Sequence, residues 1–105
     1  MKPSREKMST QVCWAEYGPL DATLIERDDH EIVVEYIDDD GYRYTILLSS
    51  DDGESFEGNY EFSQQGETRR GTVTCTKYVS SSSFLLQGIM IEAGWKYHWW
   101  VKRDN

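Results

Sequence analysis

Cysteine, histidine, basic charge and long apolar runs are all scarce in this chain of 105 residues, and each shortage removes a class of protein. The two cysteines, Cys13 and Cys75, lie far apart. They supply neither a disulfide framework nor a zinc site, which needs closely spaced ligands, so both are expected to be free thiols. No apolar run approaches the roughly 20 residues that cross a bilayer, and the opening MKPSREKMST lacks the apolar stretch of a secretory signal. The expected location is the cytoplasm. The histidines are His30 and His98, and the serines fall in turns and runs. Nucleophilic catalysis needs a nucleophile beside a base that is itself held by a third group. No such set is readable, so no catalytic residue is assigned and an enzyme ranks below a binding protein.

Lys and Arg number 11 against 19 Asp and Glu, for a net charge of -8. That balance argues against binding the nucleic-acid backbone, whose affinity comes from cations displacing condensed counterions, and equally against anionic membrane. The acids are unevenly placed. Positions 1–61 hold 16 of the 19 acids and 5 of the 11 bases, and the rest lie in positions 62–105, giving -11 and +3. Solubility accounts for an acidic surface. A basic protein partner steered to the acidic half is the sharper reading.

Rings are plentiful: 4 Trp, 7 Tyr and 3 Phe. One domain spanning residues 10–105 with an aromatic core fits this length, preceded by a flexible tail at residues 1–9. From His30 onward the apolar period is two, which marks strands. Ile32, Val34 and Tyr36 alternate in one run and Tyr44, Ile46 and Leu48 in the next, around Asp39-Asp40-Gly41. A three-residue loop ending in glycine pairs Tyr36 with Tyr44, Val34 with Ile46 and Ile32 with Leu48. Phe56, Gly58, Tyr60 and Phe62 then face in. A register pairing Leu48 with Phe56 sets Arg43 opposite Glu61. The turn at Gln64 to Glu67 sets Tyr60 over Gly71, an aromatic ring covering bare backbone. Val73 and Cys75 follow inward, Cys75 as a small core hydrophobe. A last hairpin at Ala93-Gly94 sets Gly88 opposite Trp99.

Earlier in the chain, a three-residue loop at Asp28-Asp29-His30 turns Leu20, Ala22 and Leu24 inward, whereas a two-residue turn would bury Thr23 and Ile25. Residues 11–17 form a further strand, with Gly18-Pro19 as the corner after it. The expected fold is all-β: an antiparallel up-and-down meander of seven to eight strands that removes its edges by closing into a small barrel.

The segment FEGNY, Phe56 to Tyr60, followed by a meander ending in WKYHWW, Trp95 to Trp100, resembles the small calycin barrels of the lipocalin and avidin type. The resemblance covers residues 20–103 as architecture and transfers no individual residue. It implies an interior able to hold a small apolar ligand, lined here by Tyr36, Tyr44, Phe56, Tyr60, Trp95 and Trp99.

Two further groups stand out. Asp28, Asp29, His30, Asp51, Asp52 and Glu54 share one end of the meander, and Asp38, Asp39 and Asp40 lie at the other. Turns attract aspartate for backbone reasons, so these acids are read as turn formers and no metal or other cofactor is assigned. On the outer face Leu85, Ile89, Ile91 and Trp100 form an apolar stripe, to be covered by the N-terminal segment with Val12 and Trp14 or by another chain. The leading expectation is therefore a non-enzymatic interaction module that binds a protein partner or a second copy of itself through that stripe. A carrier of a small apolar ligand is the alternative.

Overall fold

The computed structural model describes residues 10–14, 17–64 and 66–104, so the expected tail at residues 1–9 lies outside the described residues. Eight strands follow one another: β1 (Thr10–Trp14), β2 (Tyr17–Asp28), β3 (Glu31–Ile37), β4 (Arg43–Ser49), β5 (Ser55–Gln64), β6 (Glu67–Val79), β7 (Ser83–Glu92) and β8 (Trp95–Asp104). Each pairs antiparallel with the next, and β1 returns to β8 to close the barrel. Closure gives every strand a paired neighbour on both sides, the solution expected for a meander of this kind.

Alternation sorts the side chains. Ile32, Val34, Tyr36, Tyr44, Ile46, Leu48, Phe56, Tyr60, Phe62, Val73, Cys75, Phe84, Leu86, Met90, Trp99 and Val101 form one buried cluster. Leu20, Ala22 and Leu24 pack against it from β2, though the turn is the two residues Asp29 and His30: a register shift between Glu26 and Asp28 keeps these three facing inward as expected of the longer loop. The β3–β4 register matches the expectation pair for pair, and Tyr60 faces Gly71. A Cβ at Gly71 would lie 2.4 Å from the Tyr60 ring, so the ring occupies the space a side chain would fill.

Four expectations need correction. First, β1 is Thr10–Trp14 rather than residues 11–17, and Gly18 and Pro19 lie within β2 rather than at a corner after it. The β1–β2 register shifts between Val12 and Trp14, opposite these two residues, and a bulge tolerates a proline that cannot donate to the ladder. Second, Leu48 pairs with Gly58 and Arg43 with Ser63, two residues from the expected register. Glu61 instead meets Arg70 at 3.4 Å. Side chains widen the β4–β5 loop. Ser50 Oγ accepts from Gly53 N at 2.8 Å, and Asp52 Oδ1 accepts from Glu54 N at 2.8 Å and Ser55 N at 2.9 Å. A two-residue slip preserves the inward face, which is why the core is unaffected.

Third, Gly88 does face Trp99 in the ladder, but what excludes a side chain there is backbone. A Cβ would approach Thr74 O of β6 to 1.9 Å, and at Gly58 one would approach Leu47 O to 1.8 Å. Glycine at these points lets neighbouring strands approach closely as the sheet curls, the usual device for turning a sheet into a small barrel. Fourth, Val12 is completely buried, so β1 is a stave of the barrel and not a cover for the outer stripe.

Candidate functional site

The barrel has two unlike ends, because inward positions near the strand termini carry different chemistry. At the end holding the β2–β3, β4–β5 and β6–β7 connections, Glu26, Lys77, Phe84 and Arg103 continue the inward rows of Leu24, Cys75, Leu86 and Val101. Arg103 Nη2 donates to Glu26 Oε1 at 3.0 Å, and Lys77 Nζ lies 3.5 Å from Glu26 Oε2. Both cations cover the Phe84 ring, Arg103 at 4.7 Å and Lys77 at 5.4 Å from its centroid. The long aliphatic stems and charged heads of Arg and Lys thus seal apolar core from water.

The loops at this end are tied together. Ser50 N donates to His30 O at 2.9 Å, and His30 Nδ1 donates to Ser50 O at 3.0 Å. Asp28 Oδ1 accepts from His30 N at 2.6 Å. The donors around Asp52, Ser55 N and Glu54 N first and then the Ser50 hydroxyl, hold its carboxyl below the usual range. Asp28 and Asp52 therefore build turns, and among the described residues no three His, Cys, Asp or Glu side chains gather as a metal site.

The opposite end is open. A cavity of about 320 Å³ is lined by Asp38, Asp39, Asp40, Tyr42, Tyr44, Phe62, Arg69, Glu92 and Tyr97. The β3–β4 hairpin supplies the aspartates: Asp38 Oδ1 accepts from Asp40 N at 3.0 Å and from Tyr42 N at 2.9 Å, which fixes the turn over the barrel mouth. Beneath it the rings stack, Tyr36 on Tyr44 at 4.6 Å and Tyr44 on Phe62 at 4.8 Å between centroids. Tyr42 meets Phe62 edge-on at 5.4 Å and 86°. Stacked and perpendicular rings side by side present both faces and edges to the same space. Tyr60 Oη donates to Glu92 Oε1 at 3.1 Å, and Glu92 Oε2 lies 3.8 Å from Arg69 Nη1.

Burial raises the phenol pKa of Tyr36, Tyr44 and Tyr60 well above its ordinary value. Neighbouring Tyr44, Tyr60 and Asp38 add to the effect at Tyr36, Asp38 and Glu92 at Tyr44, and Glu92 at Tyr60. The shift keeps these phenols protonated at neutral pH. Tyr36 Oη and Trp99 Nε1 are both buried in the ring layer, where the Trp99 N–H partly offsets the effect of burial on the Tyr36 phenol.

Of the six interior residues expected from sequence, Tyr36, Tyr44, Phe56, Tyr60 and Trp99 belong to the buried core. Trp95 does not: it stands at the tip of the last hairpin, 70% exposed. Its position shares the inward parity, but there is no barrel around it to enclose it. The outward Leu85, Ile89, Ile91 and Trp100 are each half-buried, partly covered by their own neighbours. Leu85 and Trp100, with Gln87 and Lys102, line a groove of about 250 Å³. A row not expected from sequence is more open. Ile25, Val33 and Leu47 pair across β2, β3 and β4 on the outside, with Ile25 45% and Leu47 54% exposed.

Two larger grooves, about 520 and 530 Å³, lie on the outer wall. The first mixes hydroxyls and carboxylates of the Ser50–Asp52 loop with β5–β7, and the second follows Asp21, Thr23, Glu35 and Arg43. Neither has the converging ring walls of the mouth. Five lining residues of the mouth, Tyr42, Phe62, Arg69, Glu92 and Tyr97, escaped the sequence reading as site residues. Parity and the alternation of hairpin ends carried the signal, since Arg69 and Glu92 occupy inward positions at the same end as Asp38.

No protein-family model, curated protein or solved structure shows significant similarity to this chain. The likeness to calycin barrels is one of architecture: a closed barrel of antiparallel strands in chain order.

Proposed function

We propose that this chain is a non-enzymatic binding protein that takes a small ligand at the open mouth of the barrel, above a filled core. The observation carrying this reading is the mouth cavity of about 320 Å³, walled by Tyr42, Tyr44, Phe62 and Tyr97. Ligand sites are concave, mostly apolar and supplied with a few placed polar groups, in volumes from about 300 Å³ upward. The deep interior is a poor alternative, because Tyr36, Tyr44, Tyr60, Phe62 and Trp99 are packed together there.

The test is a titration with a panel of small positive, neutral and negative probes, following the ring resonances of Tyr42 and Tyr97 against those of Phe84. Saturable shifts at Tyr42 and Tyr97 with Phe84 unmoved support the mouth. Shifts confined to Phe84 or to outer-wall residues, or none at all, overturn it.

A second reading, contact with another protein, is favoured by the outward row in which exposed Ile25 and Leu47 flank buried Val33. On that reading Leu47→Asp reduces association, measured as mass by light scattering over a concentration series, more than Trp100→Ser does. The reverse order would return the interface to the stripe of Leu85, Ile89, Ile91 and Trp100.

A further inference from the structure

Resting on the outward row of Ile25, Val33 and Leu47 as a protein contact, we infer that the chain it meets is a second copy of this one, joined head to tail. The row of one copy seats on the stripe of Leu85, Ile89, Ile91 and Trp100 of the next. Row and stripe belong to opposite walls. In the closed order of eight strands, β3 at the centre of the row lies four staves from β7, which carries most of the stripe. One copy therefore cannot bring its own two patches together.

The walls are complementary in charge. Two residues along the strands from the row, the outward positions hold Glu31 and Glu57 on one flank and Glu35 and Glu61 on the other. Glu61 is partly answered by Arg70 at 3.4 Å, and the bases of this wall are Arg27 and Arg43. On the stripe, the rungs of β7 and β8 set an aliphatic side chain beside a base or an imidazole: Leu85 with Lys102, Ile89 with His98 and Ile91 with Lys96. Lys102 lies 3.9 Å from Asp104 in an exposed pair, which leaves most of its charge to a closer partner. The uneven charge of the sequence thus becomes acid around one apolar patch and base beside the other. Row against row, or stripe against stripe, would set like charges together.

Shape agrees with charge. Ile25 and Leu47, 45% and 54% exposed, stand as knobs on either side of buried Val33. The stripe supplies the hollow, a groove of about 250 Å³ lined by Leu85, Gln87, Trp100 and Lys102, with room for a branched aliphatic side chain. Two residues along a strand is about 7 Å. With the strands of two copies aligned, Leu47 in that groove carries one glutamate flank toward Lys102 and the other toward His98. Such a contact is heterologous: it leaves a free row at one end and a free stripe at the other, so association does not stop at two copies.

The experiment is light scattering of the full chain from about 10 µM to about 1 mM, a range that brackets the Kd of about 100 µM that a small patch supports. The wild-type mass should climb past that of a dimer. Leu47→Asp should weaken association at least about 100-fold and Trp100→Ser at least about ten-fold. Mixed in equal amounts, the two variants should give a dimer and nothing larger, the intact row of the Trp100→Ser copy seating on the intact stripe of the Leu47→Asp copy. Circular dichroism checks folding. If Trp100→Ser does not fold, Lys96→Glu at an exposed position takes its place in the mixture and tests the stripe through charge alone. A stripe variant that associates as the wild type does overturns the head-to-tail contact and leaves the row as a contact in its own right. A mixture that stays monomeric where the wild type associates does the same. If Leu47→Asp associates undiminished, the row reading fails and this inference fails with it. A wild-type chain that is monomeric over the whole range overturns the self-contact and leaves the row to a different protein.

Discussion

The two ends of this barrel are built on the same strand alternation and yet do opposite things. At one end the inward positions carry Glu26, Lys77 and Arg103, whose charges pair with one another over Phe84 and shut the core. At the other they carry Glu92 and Arg69 beside Tyr44, Phe62 and Tyr97, and the space between stays open. Charge is present at both. The difference is geometry: at the closed end two cations share one carboxylate and lie over an aromatic ring. At the open end the acids sit on the β3–β4 turn, and a cavity of about 320 Å³ lies between them and the rings. A charged residue at a strand terminus is therefore a lid or a rim, depending on what it can reach across the barrel.

Four experiments break or sharpen that contrast, the largest effect first. Alkaline pH should attack the open end. The folded pKa values of Tyr36, Tyr44 and Tyr60 lie above the ordinary 10.0, so the stability they contribute is complete below pH 10 and is lost as pH rises through their folded values. Between pH 10 and each folded value, one unit of pH costs about 1.4 kcal/mol per phenol. Unfolding followed by circular dichroism should coincide with a steep rise in tyrosinate absorbance. Gradual titration of these three phenols near their ordinary value, in a barrel that stays folded, would show that they are not sealed.

Phe84→Ala removes the surface on which the closed end is built. A ring 2% exposed, lost with no neighbour able to refill the space, should cost about 3 to 5 kcal/mol in chemical denaturation. Tyr42→Ala at the mouth should cost about 1 kcal/mol, mostly its edge contact with Phe62. Similar losses for the two would erase the distinction between a structural end and a binding end.

Gly88→Val tests the wall common to both. Its side chain would meet Thr74 O and the Cys75 backbone, groups that cannot swing aside, and about 3 kcal/mol of destabilisation is expected. Gly66→Ala, in a turn with nothing within 4 Å, has only its positive φ of 87° to oppose it and should lose about 1 kcal/mol. Equal melting temperatures would mean that the staves do not approach as closely as the fold requires.

Glu26→Gln is the mildest. It leaves Lys77 and Arg103 facing each other without a counter-charge, in side chains 17% and 15% exposed. A loss of about 1 to 2 kcal/mol at low salt, partly restored by added salt, is expected between the values for surface and buried pairs. No change at any ionic strength would mean that the lid is held by its apolar stems alone.

Much of this architecture was legible beforehand, and the reasons are local. Period two gave the faces of β3 to β8, and Asp39-Asp40-Gly41 gave the β3–β4 register because a short loop leaves the strands no other way to meet. The β4–β5 register was out of reach from loop length alone. Ser50 and Asp52 hydrogen-bond the backbone and add residues to the turn. Trp95 was misplaced because parity says which side a residue points, not whether the wall continues past it. Val33 was missed for the opposite reason: it faces outward yet is only 7% exposed, covered by Ile25 and Leu47 from the neighbouring strands.

The sequence by itself determined which side chains face in, which hairpins form, and that the core is made of rings, since pleat and turn are properties of a few consecutive residues. Only the tertiary structure decided that Glu26, Lys77 and Arg103 meet, and that Asp38, Phe62 and Tyr97 share a cavity. Those groups come from staves on different sides of the barrel, and their distances depend on the tilt and stagger with which the sheet closes. No short window of residues encodes that closure, because it is settled by all eight strands at once.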